Sequence, residues 1–215
     1  MKDITMSSQA FVYTELQISV PFDDAPWRDI NAALLAQPGL LNKTWLAGVG
    51  TGSLGGLYAF DSIENAESFV TGYFPGEAAK FGVAQTTRLF DAAITEEASR
   101  DINSPHYGAE LARNPGAFVY TEVQLSVPFE KAPWRDRNPA LKQLPGLLGK
   151  TWLSGLHTET LGGFDAFDTL ENATAFALEA FPKAAAAMNA AFVTRIFDAA
   201  VVEDASREMR SPFYA

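Results

Sequence analysis

The chain has 215 residues, is 47% hydrophobic and carries a formal net charge of −10 with no cysteine. That is enough apolar material for one or two buried cores. The acidic balance, with no basic cluster to offset it, argues against nucleic acid and anionic membrane as partners, and the lack of cysteine excludes disulfides, iron–sulfur clusters and thiol catalysis. No apolar run is long enough to cross a bilayer, and the opening residues lack a basic-then-apolar signal pattern, so a cytoplasmic location is expected.

Residues 1–10 carry no pattern and read as a flexible N-terminus. From Phe11 the sequence alternates. Val12, Thr14, Leu16, Ile18 and Val20 fall on one face, and Phe11, Tyr13, Glu15, Gln17 and Ser19 on the other, which predicts a strand ended by Pro21. Asp24-Ala25-Pro26-Trp27 opens a helix with Trp27, Ile30 and Leu34 at helical spacing, stopped by Pro38-Gly39. The stretch Leu40-Leu41-Asn42-Lys43-Thr44-Trp45-Leu46 is a second strand with Lys43 and Trp45 on one face. After the small-residue loop 48–55, a third strand over Gly56–Phe60 completes a hairpin.

Asp61-Ser62-Ile63-Glu64 reads as a helix start, Asp61 accepting from free amides and Glu64 reaching back. Ile63, Ala66, Phe69, Val70 and Tyr73 then form an apolar stripe. Phe74-Pro75 predicts a break, followed by an alanine-rich segment to about Ala84. A fourth strand over Thr86–Ile94 and a short helix over Glu96–Arg100 close the unit.

The whole unit recurs from Phe118 without a gap, and roughly 56 of 97 aligned positions are identical. The chain therefore reads as a tandem duplication: residues 11–107 and 118–215 as two repeats, joined by a linker at 108–117. Strand-helix-strand-strand-helix-strand is the order of a ferredoxin-like fold, an α+β architecture with helices on one sheet face. The other face, with Phe11, Tyr13 and Trp45, is too aromatic for open water. Two repeats packed sheet to sheet within one chain would cover it.

The combination Pro-Gly-Leu-Leu-x-Lys-Thr-Trp-Leu, Gly55-Gly56 with Phe60-Asp61, Glu64-Asn65-Ala66 and Arg88-x-Phe90-Asp91, repeated at Gly162-Gly163, Phe167-Asp168, Glu171-Asn172-Ala173 and Arg195-x-Phe197-Asp198, resembles the YdhR-type monooxygenase family of the dimeric α/β-barrel superfamily. The resemblance spans nearly all of both repeats. It implies an intrachain version of a barrel that related proteins build by dimerising, and an oxygenase that works without a cofactor.

Strand parity gathers Tyr13, Glu15, Lys43, Trp45, Tyr58, Arg88 and Phe90 on the face expected to meet the other repeat, with Tyr120, Glu122, Lys150, Trp152, Asp165, Arg195 and Phe197 as their counterparts. Ionisable groups among aromatics must be paired or functional. Glu15 and Arg88 are close enough in this topology to pair, either to fix register or to act on a substrate. In the functional reading Glu15, Glu122 or Asp165 is a base, and Lys43, Lys150, Arg88 or Arg195 steadies an anion. Tyr13, Trp45, Phe90, Tyr120, Trp152 and Phe197 would box in a small aromatic or polyketide-like substrate that itself reduces dioxygen.

Differences between the repeats point to divergence of the two sites: Tyr58 becomes Asp165, Gly50 becomes His157 and His106 becomes Phe213. His157 with Asp165 is a candidate acid–base set, or else His157 is a solvated loop residue. Two histidines on unrelated elements make no metal site, and no glycine-rich nucleotide fingerprint is present. A non-redox cyclase or isomerase, or a binding protein with a filled sheet face, are the competing readings.

Overall fold

The computed structural model describes residues 9–125 and 127–214; residues 1–8 of the expected flexible N-terminus lie outside the described residues. Strand β1 (Ala10–Leu16) runs between β3 (Leu54–Phe60) and β4 (Gln85–Asp91), and β2 (Leu40–Gly48) borders β3. The second half repeats the arrangement with β5 (Ala117–Gln124), β6 (Leu147–Ser154), β7 (Thr160–Phe167) and β8 (Phe192–Asp198). The strands β1 and β4 both stop short of the lengths expected from alternation.

The two halves do not form separate sheets laid face to face. Ala47 and Gly48 of β2 pair with Asp198 and Phe197 of β8, giving one antiparallel sheet of order β4-β1-β3-β2-β8-β5-β7-β6. At the opposite seam the Leu156 N–H donates to the Leu89 carbonyl at 2.9 Å, and Phe90 bridges Gly155. The sheet thus curls round on itself. Barrel closure gives the outer strands partners that an open edge would lack. Phe11, Tyr13, Phe90, Phe118, Tyr120 and Phe197 fill the interior.

Helices cover the outside: α1 (Trp27–Leu35), α2 (Ile63–Ser68) and α3 (Phe74–Phe81) over the first half, α5 (Trp134–Leu141), α6 (Leu170–Ala175) and α7 (Phe181–Ala187) over the second. Ser62, one residue after the expected Asp61, is the N-cap of α2, and its side chain accepts from the Asn65 N–H. Asp61 instead accepts from the Asn65 side chain. Thr169 and Asp168 repeat this at α6. The expected break at Phe74-Pro75 does not occur. A π-turn over Phe69–Tyr73, closed by the Phe74 N–H on the Phe69 carbonyl, starts α3 at a position where Pro75 has no required donor to lose. No described helix is long and apolar enough to cross a membrane.

The closing helices are exchanged between halves. α4 (Glu96–Asp101) packs on β6 and α5, and α8 (Glu203–Glu208) packs on β2 and α1. Buried hydroxyls fix them there: Ser99 Oγ accepts from the Trp152 N–H at 2.9 Å and Ser206 Oγ from the Trp45 N–H at 3.0 Å.

Candidate functional site

The residues expected on one sheet face fall on two. Tyr13 stands opposite Leu57 and Arg88, and Leu57 opposite Thr44, so Tyr13, Glu15, Arg88 and Phe90 point into the barrel. Lys43 stands opposite Tyr58, and Tyr58 opposite Val12, which puts Lys43, Trp45 and Tyr58 on the helix-covered face. The second half divides in the same way: Tyr120, Glu122, Arg195 and Phe197 lie inside, Lys150, Trp152 and Asp165 outside. Alternation within a strand leaves open which face joins its neighbour's, and a one-residue change of register inverts it. Bulges at Leu40/Asn42 and Leu147/Gly149 shift the pairing just before each lysine.

Inside the barrel the Tyr13 and Tyr120 rings stack at 4.1 Å and 8°. Tyr13 donates to Glu15 Oε2 at 2.7 Å and Tyr120 to Glu122 Oε2; Gln17 adds a bond to Glu15 Oε1. Burial, then the neighbouring carboxylate, pushes both phenols well above their ordinary values. The expected Glu15–Arg88 pair is replaced by a crossed one. Arg195 Nε lies 3.3 Å from Glu15, and Arg88 Nε 3.2 Å from Glu122. Two acids and two guanidiniums therefore balance, around a residual space of about 110 Å³. With so little room and every charge matched, the cluster fits a lock between halves better than a substrate chamber.

The other face of the second half is built differently. Between the sheet and α5–α7 lies a cavity of about 240 Å³ lined by Leu141, Trp152, Leu161, Phe176, Phe181 and Met188, with Lys150 in its wall. Lys150 Nζ reaches Asp165 Oδ1 and Oδ2 at 2.9 and 3.1 Å, both side chains being buried. Gly163 makes this possible, since a Cβ there would fall on the ammonium group. Burial raises the Asp165 carboxyl above its ordinary value, and the Lys150 charge pulls it back. The Trp152 indole donates to Asn138 Oδ1 at 2.9 Å, while the Asn138 amide donates to the Ala98 carbonyl and to Asp101. The first half thus orients one wall of the second half's cavity through α4.

In the first half Tyr58 occupies the position of Asp165. Its buried ring packs 5.0 Å from Phe69, and its hydroxyl is 3.5 Å from Thr14 Oγ1. Lys43 is buried without an acidic partner among the described residues, its ammonium against the Trp45 ring and 5.0 Å from the Tyr58 centroid. Burial alone drives its pKa well below the ordinary lysine value. Trp45, Leu34 and Phe74 are buried, whereas their counterparts Trp152, Leu141 and Phe181 keep part of their surface. The space that is open in one half is packed in the other.

The expected His157–Asp165 set does not form. His157, in the turn after β6 with φ +61°, is exposed and faces Glu67 of the first half at 3.4 Å. It borders an open groove of about 580 Å³ with Arg88 and Thr158, while Asp165 is engaged by Lys150. His106 sits between Phe11 at 4.6 Å and Phe213 at 5.4 Å, its Nε2 buried without a partner. Burial holds its pKa down at about 3. Two site features escaped the sequence reading: Asn138, which has an identical counterpart in Asn31, and Arg137, whose signal was available as another difference between repeats, Ile30 against Arg137.

No family model and no curated protein matches the chain. Among solved structures it is similar to a "putative monooxygenase" from Lactobacillus acidophilus NCFM, at 8% identity and TM-score 0.51, over 89% of this chain and 93% of that one. It is also similar to an "anthrone oxidase-like protein", at 16% identity and TM-score 0.53, over 89% and 91% of the two chains. At these identities the likeness is one of fold: an α+β dimeric α/β barrel.

Proposed function

We propose that this chain, a tandem duplication of the YdhR type, is a cofactor-independent monooxygenase for a small hydroxyaromatic or polyketide-like molecule, bound between sheet and helices of the second half. The observation that carries this reading is Lys150, set in the wall of a largely apolar cavity and paired with the buried Asp165 behind it. The fold likeness to proteins described as a monooxygenase and as anthrone oxidase-like supports it at the level of architecture.

The chemistry follows from the pair. A bound phenol or enolisable ketone presents its oxygen to Lys150 Nζ, and the acidic proton passes through that amine to Asp165, whose raised basicity suits it to accept. The ammonium left at the cavity wall steadies the substrate anion where water is excluded. The anion reduces dioxygen by one electron, the two radicals join at the activated carbon as a peroxide anion, and the proton held at Asp165 returns through Lys150 to make it the hydroperoxide. Loss of water across C–O–O–H then leaves a carbonyl. A methylene carbon so becomes a ketone, one oxygen atom going to product and one to water, with no external reductant. Trp152, Phe176 and Phe181 hold the ring system.

Incubation of the purified protein with anthrone-type and phenolic substrates under labelled dioxygen tests this. One labelled oxygen per product is expected, and the rate should collapse in Asp165→Asn. Turnover that continues without oxygen would replace oxygenation by isomerisation or cyclisation on the same pair.

A further inference from the structure

The cavity of the second half has a charge pattern that the reaction does not use. Among the described residues the only charged side chains in its lining are cationic, Lys150 deep in the wall and Arg137 at the exposed rim. Lys150 is neutralised by Asp165. Arg137 has no ion pair and no side-chain hydrogen bond among the described residues, although its neighbour Arg135 on α5 is held by Glu97. No carboxylate of the described residues lines the cavity. In a chain of net charge −10, a free guanidinium beside an apolar opening is a local reversal of field, which draws an anion and orients it. The matching position in the first half is Ile30, which packs into the apolar core there alongside Tyr58 and Phe69. The half that keeps the Lys–Asp pair and the open cavity is thus also the half with a cation at the entrance.

We infer that the ligand is an amphipathic anion: an aromatic body that fills the cavity, a hydroxyl or keto oxygen at Lys150, and a carboxylate at the far end held by Arg137. One such molecule binds per chain, since the first half has neither the arginine nor the open space. This rests on the proposed placing of the substrate in the second half and adds its chemical class and orientation. Arg137 would act as a specificity residue, reading the end of the molecule that does not react.

Calorimetric titration of the full chain with a hydroxynaphthoic acid bearing its two groups on opposite rings, and with naphthol as the neutral control, tests the inference. The acid is expected to bind once per chain and roughly tenfold more tightly than naphthol, the preference shrinking with added salt. Arg137→Gln, an exposed substitution, should erase the preference while leaving naphthol affinity unchanged, and Arg137→Glu should reverse it. Equal affinities, a preference that survives in Arg137→Gln, two acids bound per chain, or no binding of the acid would each overturn the inference. Labelled-oxygen turnover of neutral phenols with the carboxylate ignored would leave the oxygenase reading standing and remove this one. Tight, Arg137-dependent binding with no oxygen transferred would do the opposite.

Discussion

Glu15 of β1 is held at 3.3 Å by Arg195 of β8, although Arg88, on the strand next to its own, belongs to the same half of the chain. Arg88 in turn holds Glu122. Each half therefore supplies the cation for the other's buried acid. A barrel assembled in the wrong register would leave two carboxylates unpaired, so the crossed pairs specify how the halves meet.

Removing a guanidinium should cost more than removing the pair. Arg195→Met leaves Glu15, 2% exposed, with Tyr13 and Gln17 as its remaining partners among the described residues. A loss of about 1–2 kcal/mol is expected, tempered because the arginines are themselves partly solvated. The double variant Arg195→Met with Glu15→Gln should recover part of it. Urea unfolding of the wild type, both single variants and the double variant measures the coupling; strictly additive effects would show that the contact does not lock the halves.

The same substitution at matched positions should have opposite signs. Lys150→Met strands the buried Asp165 carboxylate and should destabilise by about 3–5 kcal/mol, with loss of turnover. Lys43→Met removes a buried amine that has no acid to answer it. The Lys43 pKa in the folded protein lies below its ordinary value of 10.5, so the unfolded chain takes up its proton more readily. The resulting penalty appears as pH falls below that ordinary value and is complete below the folded one. Lys43→Met should therefore raise stability at neutral pH, by about 1 kcal/mol or more. Chemical denaturation of the two variants side by side decides it.

His106 makes the fold acid-sensitive. Its folded pKa of about 3 lies below the ordinary 6.5, so protonation favours the unfolded chain. Its contribution is intact above pH 6.5 and is lost between there and about 3, at up to about 1.4 kcal/mol per pH unit. His106→Phe, which installs the residue already found at the counterpart Phe213, should flatten this part of the profile and raise the melting temperature by a margin that grows as pH falls from 6.5 toward about 3. An unchanged slope between neutral and mildly acid pH would assign the acid lability to other groups.

Much of the architecture was legible in residues 11–20 and their echo. Alternation marked β1 and β5, and helical spacing of Trp27, Ile30 and Leu34 marked α1. Among the candidate residues, the lysine–tryptophan strand led to the cavity wall, and the Tyr58–Asp165 difference led to the half that is open. The partner of Glu15, the exchange of α4 and α8, and the facing of Lys43 away from Tyr13 were not legible.

By itself the sequence determined the internal repeat, the order of strands and helices, and the residues at which its two halves differ, because these depend on local periodicity and on comparison of the chain with itself. Only the tertiary structure decided which faces join, that β2 continues into β8, that each arginine crosses to the other half's acid, and that Lys150 meets Asp165 at the wall of a cavity. Register and partner choice belong to contacts between residues far apart in the chain. A one-residue bulge before Lys43 or Lys150 is enough to turn a whole strand's side chains to the opposite face.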